Sequence, residues 1–148
     1  MDTICKRIAS GVLAAALVSS VLLGVCLATH TLANANRKIS RVIARCMAMG
    51  GGVICVDYEV FATEIMDELG ASSVTIYEQQ ESGLYQSVKV FDRYAIKGLI
   101  KRKTKLADDS VWYQGAAGRK YYATVEFYGR KGEVSANKIE NTAITAAT

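Results

Sequence analysis

Apolar and polar residues alternate along most of the chain beyond residue 40. In 53–62, Ile54, Val56, Tyr58, Val60 and Ala62 fall on one side. Asp57 and Glu59 fall on the other, beside Cys55. A period of two marks a half-buried strand, because successive side chains leave a strand on opposite faces. The stretch 120–128 shows it most clearly, with Tyr121, Ala123, Val125 and Phe127 against Tyr122, Thr124, Glu126 and Tyr128. Shorter runs predict strands over 41–49, 73–79, 85–91 and 110–114, and a last one over 133–145. Glycine-containing turns separate them at 81–83, 115–118 and 129–132. Residues 64–69 have a helical look, end at Gly70 and read as a single turn crossing between sheets. Residues 92–109 read as a strand plus loop, with a short helix as the alternative. About seven short strands at regular spacing predict an all-β domain, a β-sandwich.

The first 35 residues follow another pattern. Lys6 and Arg7 precede an uncharged stretch over 11–28 rich in Leu, Val and Ala. Ala33-Asn34-Ala35 then supplies the small residues that signal peptidase needs. The chain therefore divides into a signal-peptide helix over 1–35 and one β domain over 36–148, which places the working protein outside the cytoplasm or at the cell surface. An uncleaved membrane anchor is the alternative, although about 18 apolar residues is short for a bilayer span. Lipidation at Cys26 is disfavoured by Val25 before it, where Gly, Ala or Ser is usual.

Removing the leader changes the chemistry open to the chain. It takes away Lys6, Arg7 and Asp2, so the net charge falls from +4 to +3. That mildly basic balance does not argue for nucleic acid. The only histidine, His30, also leaves. Catalysis by Ser-His-Asp or Cys-His and metal sites built on imidazole are excluded with it. There is no proline, so glycine must make the turns. Cys5 and Cys26 leave as well, and Cys46 and Cys55 remain. If Gly50 and Gly51 form a two-residue hairpin turn, Met49 faces Gly52 and Cys46 faces Cys55, and an oxidising compartment favours a disulfide. Two reduced, buried thiols are the alternative.

The stretch Gly118-Arg119-Lys120-Tyr121-Tyr122-Ala123-Thr124-Val125-Glu126-Phe127-Tyr128, followed by a glycine turn and 135–145, resembles the end of a fibronectin type III or immunoglobulin-like domain. Such domains place a tyrosine at the entry of a late strand, its hydroxyl bonded to backbone at the corner. Tyr121 matches that position, in register with Ala123, Val125 and Phe127. The whole chain also resembles small secreted β-sandwich proteins of Clostridia-like bacteria, a group without an assigned activity. The residues that carry this likeness are Met66-Asp67-Glu68-Leu69-Gly70-Ala71-Ser72-Ser73-Val74-Thr75-Ile76-Tyr77-Glu78 and the 118–128 strand. The resemblance implies export and a sandwich and brings no catalytic residues. Cys46, Cys55 and a denser basic loop depart from it.

The sharpest candidate for function is the basic cluster Lys97, Lys101, Arg102, Lys103 and Lys105. Five cations in this short span suit anionic wall polymers, acidic glycans or lipid headgroups, whereas a solvated loop needs them only for solubility. Trp112, Tyr113, Tyr122 and Tyr128 are candidates for a platform that stacks sugar rings, against ordinary cross-strand packing. Asp67 with Glu68, and Asp108 with Asp109, are adjacent pairs that do not suggest the separated carboxylates of a glycosidase. Nor does a spaced run of oxygen ligands for Ca²⁺ surround Asp108 and Asp109. The sequence thus points to a non-enzymatic binding or adhesion module that needs no cofactor. Its expected partner is an anionic cell-wall polymer, a glycan or another protein, with membrane contact only through a retained leader. A structural subunit joined through an edge strand is the second reading, and a small carboxylate-based glycan hydrolase the third.

Overall fold

A computed structural model describes residues 37–148. The leader, its cleavage residues Ala33 and Ala35, and Cys5, Cys26 and His30 lie outside the described residues. Seven strands form one antiparallel sheet: β1 (Ile39–Gly50), β2 (Val53–Gln79), β3 (Tyr85–Asp92), β4 (Ile100–Gln114), β5 (Lys120–Lys131), β6 (Val134–Asn141) and β7 (Thr145–Ala146). The protein is all-β, and its sheet is curled.

The curl comes from β2, which is 27 residues long. Its first half pairs with β1 on one edge and with β4 on the other. Its second half pairs with β5 on one edge and with β3 and the start of β4 on the other. Register breaks between Phe61 and Met66 and between Ala71 and Ser73 let the strand turn without ending. Bulges do this by adding a residue to one strand and sharpening its twist. The two halves then enclose one core. Ile54, Val56, Tyr58 and Val60 pack in it with Val74, Ile76, Tyr121, Ala123, Val125 and Phe127, all at or below 1% exposure. The Tyr58 ring meets Phe127 edge-on at 6.1 Å.

Several expectations need correction. Residues 64–69 are strand, not a helical turn. Met66 and Leu69 are buried three residues apart as in a helix, yet the pairing with β4 runs unbroken from Met66 to Gly70, and both side chains close over Gly129 of β5. The polar residues find partners elsewhere in the fold: Glu64 with Lys38, just before β1, Asp67 with Lys103, and Glu68 with Arg130. Tertiary pairing outweighs a weak local helix preference. Gly70 is therefore no helix cap. It is a close crossing, where a Cβ would overlap the Leu99 carbonyl oxygen.

Strand β4 joins the expected 110–114 run to the basic stretch, and the 133–145 run divides into β6 and β7. The β5–β6 turn tightens to Gly132 and Glu133, outside the Lys131–Val134 pair.

The expected Cys46–Cys55 pairing fails on register. Gly50 pairs with Val53, so Gly51 and Gly52 make the turn, and a bulge between Ala48 and Gly50 shifts the ladder. Gly50, Gly51 and Gly52 all take positive φ, at 89°, 61° and 81°. Cys46 then lies opposite Val56, facing the core, while Cys55 lies opposite Met47 on the other face. Slipping a strand by one residue exchanges its faces. Both cysteines are free thiols.

Candidate functional site

The five cations of the basic cluster do not form one patch. Lys101 Nζ donates to Asp108 Oδ1 at 2.8 Å, and Lys103 Nζ to Asp67 Oδ1 at 2.6 Å. Each is neutralised locally. Lys105 has no ion pair among the described residues and does not line the cavity that Lys97 and Arg102 share. Strand geometry separates them, since neighbours along β4 leave on opposite faces. Lys97 reaches the same cavity from the β3–β4 loop.

That cavity, of about 520 Å³, is completed by residues that the run of charge along the sequence did not mark: Arg93, Tyr94, Tyr128 and Glu68. Arg93 is the best positioned. Its amide donates to Ser72 O at 3.0 Å. Asp92 Oδ1 accepts the amides of Tyr94 at 2.8 Å and Ala95 at 3.0 Å, an Asx turn that fixes the loop's entry. The Arg93 guanidinium lies 4.4 Å from the Tyr128 ring centroid and 5.0 Å from that of Tyr94. It donates to Tyr94 Oη at 2.9 Å. A planar cation over an aromatic face is attracted by the ring quadrupole. The Tyr94 hydroxyl beside it holds Arg93 still more firmly in its charged form. Among the described residues, neither Arg93 nor Lys97 has a carboxylate partner. The Arg102 side chain is 82% exposed and its contact with Glu68 Oε1 is long, at 3.9 Å, so it too can turn to a ligand.

Two smaller cavities adjoin it. One, of about 310 Å³, shares Glu68 and Arg102 and adds Asp67, Lys103 and Arg130. Its charges are spent internally. Asp67 accepts Lys103 Nζ and the Gly132 amide at 2.7 Å, and these bonds lower its carboxyl to about 2. Arg130 Nε donates to Glu68 Oε2 at 3.2 Å and lowers that carboxyl as well. The other, of about 320 Å³, shares Arg93 and Tyr128 and adds Lys138, Asn137, Ser72 and Glu126.

The proposed aromatic platform disperses. Tyr122 stacks on Tyr77 with ring centroids 4.7 Å apart, Tyr113 packs edge-on against Tyr121, and Tyr128 lies under Arg93. Trp112, 54% exposed, lies across from Cys55 on the outer face. The carboxylate pairs also go elsewhere. Asp108 is held by Lys101, which lowers its carboxyl, and Asp109 Oδ1 accepts the Ser110 amide. Burial raises the Cys46 thiol to about 11 and raises Cys55 too, so both are poor nucleophiles near neutrality. Tyr121 Oη accepts the Ala116 amide at 2.8 Å and donates to Glu78 Oε2 at 2.6 Å. Gly115 makes room for it, since a Cβ there would lie 2.6 Å from Oη.

No family model matches this chain. A search of curated proteins finds no match either. Among solved structures, the crystal structure of Spo0M, a sporulation control protein from Bacillus subtilis, is similar with a TM-score of 0.38 and 7% identity, over 69% of this chain and 46% of that one. The chain thus spans less than half the length of Spo0M, and a likeness at this level carries no argument about fold or function.

Proposed function

We propose that this chain is an exported, non-enzymatic binding protein that holds an anionic wall polymer or acidic glycan over Arg93. The observation that carries the reading is the Arg93 guanidinium. It is fixed over Tyr128 and Tyr94, shares a cavity with Lys97 and Arg102, and forms no ion pair among the described residues. An arginine held in one geometry offers a fork of donors to carboxylate or phosphate with little further ordering to pay for. Export rests on the 11–28 apolar stretch and the Ala33-Asn34-Ala35 site. For the fold, we favour the immunoglobulin or fibronectin III-like sandwich. Tyr121 supports it by bonding backbone five residues upstream.

Titration of the protein with purified teichoic acid and with polygalacturonate tests the binding reading. Arg93→Ala should weaken the better of the two at least tenfold, about 1.4 kcal/mol. Unchanged affinity in the variant would end it. Assembly through an edge strand is the second reading. It is supported by β3, which pairs with β2 alone and carries Val90 at 53% exposure. No observation favours the hydrolase reading.

A further inference from the structure

We infer that the ligand of this site is a linear polyanion without bases, bound across a saddle formed by Arg93 and Tyr128. The inference rests on the anion-binding reading above and extends it from one anionic group to several in series. Two cavities, of about 520 and 320 Å³, share Arg93 and Tyr128 as their common wall. Cations lie on both sides of that wall, with Lys97 and Arg102 in the larger cavity and Lys138 in the smaller. Each cavity also carries one carboxylate, Glu68 or Glu126, so cations outnumber anions in both. Glu68 is engaged by Arg130 at 3.2 Å. Lys138 has no ion pair among the described residues. A single small anion would use Arg93 with one flank and leave the opposite flank unused. A chain with an anionic group at each repeat uses Arg93 at the saddle and a cation on either side.

The saddle also distinguishes between polyanions. Proteins that hold single-stranded nucleic acid stack successive bases on open aromatic faces. Tyr128, the aromatic common to both cavities, carries the Arg93 guanidinium at 4.4 Å. Tyr122 is stacked on Tyr77. Tyr94, 83% exposed, lines only the larger cavity and has the same guanidinium 5.0 Å from its ring, so the wall common to both cavities presents cation in place of ring. This suits phosphodiester-linked polyols and uronate chains, whose shared chemistry is a repeated anion on a flexible, non-aromatic backbone. Arginine meets carboxylate and phosphate with the same two-pronged geometry.

The test is a length series titrated into the full chain. It uses glycerol phosphate and its phosphodiester-linked hexamer, galacturonate and its hexamer, and a thymidine hexanucleotide. One hexamer is expected to bind at least thirtyfold tighter than its own monomer, and whichever does so identifies the source. Lys138→Ser should weaken that hexamer about tenfold and its monomer by much less. Lys97→Ser should weaken both. Lys138 lies on the outermost strand of the β2–β5–β6 path, and an unchanged far-ultraviolet spectrum confirms that its variant folds. A monomer that binds as tightly as its hexamer, or a Lys138→Ser protein that holds the hexamer like wild type, overturns the inference while leaving the single-anion reading standing. If no anion binds, both fail. Tightest binding of the hexanucleotide overturns the exclusion of bases.

Discussion

Two tyrosines in one core should respond oppositely to the same deletion. Tyr58 and Tyr121 are 1% and 0% exposed, and replacement by Phe removes one oxygen from each. Tyr58 Oη is buried and has no hydrogen-bond partner among the described residues. Burying an unpaired hydroxyl costs about 1–3 kcal/mol on mutational scales. Tyr58→Phe should therefore stabilise the protein by ~1 kcal/mol, once the lost contacts of the oxygen are set against that gain. Tyr121 Oη makes two bonds, from the Ala116 amide at 2.8 Å and to the Glu78 carboxylate at 2.6 Å. Hydrogen bonds to charged groups are worth about 1.5–3 kcal/mol, and an abandoned donor about 1–3. Half-buried Glu78 recovers some hydration when freed, so Tyr121→Phe should cost ~2–4 kcal/mol. Urea denaturation reads both. With a slope of about 1–1.5 kcal/mol per molar for a domain of this size, the Tyr121 variant should unfold ~2 M earlier than wild type and the Tyr58 variant slightly later. Destabilisation of the two variants by similar amounts would refute the argument, because the loss would then reflect ring packing and not the state of each hydroxyl.

Gly70→Ala should destabilise by ~3 kcal/mol or more. The new Cβ meets the Leu99 carbonyl oxygen, a backbone atom that also accepts the Ala71 amide at 2.9 Å, so no flexible side chain can yield. A thermal midpoint within a degree of wild type would contradict this. Alkali should weaken the fold from about pH 9 upward. Cys46 is raised to about 11 by burial, so the folded chain keeps a proton that the unfolded chain has lost. Its contribution is complete below the ordinary thiol value and disappears as pH climbs through about 11. Cys46→Ala should flatten part of the fall in urea midpoint between pH 8.5 and 11, and an identical slope would exclude Cys46 as a source. Both thiols should also be titratable in the unfolded protein without reductant.

The sequence revealed most where one face of a strand is buried and the other is wet. The alternation over 120–128 matches the core on β5 residue for residue, and that over 53–62 matches β2 apart from Cys55, buried on the opposite face, and Ala62, only partly buried, because burial enforces period two there. It misled where burial departs from period two. Met66 and Leu69 have helical spacing, and nothing local reveals that Gly129, from a strand distant in sequence, lies under both side chains. The Cys46–Cys55 pairing turned on which two of three consecutive glycines make the turn, and composition cannot choose among them. At the candidate site, the run of like charge marked Lys97 and Arg102 but also marked Lys101 and Lys103, whose counter-ions come from elsewhere in the fold. Arg93 carried no such signal. Its value depends on Tyr128, which is 35 positions away in the sequence and arrives only through the pairing of β5 with β2.

Because β2 is the hydrogen-bonding partner of four other strands, neither half of the sheet can be released alone. Opening the ladder at residues 68–70 breaks pairs with β4 and β5 together. Folding inherits the same dependence. The hairpin of β1 and β2 closes within the first few dozen described residues, but the second half of β2 keeps one edge bare until β5 has been made. A chain cut before Lys120 would present that bare edge permanently. It would be a template for self-association, and not a smaller version of the same protein.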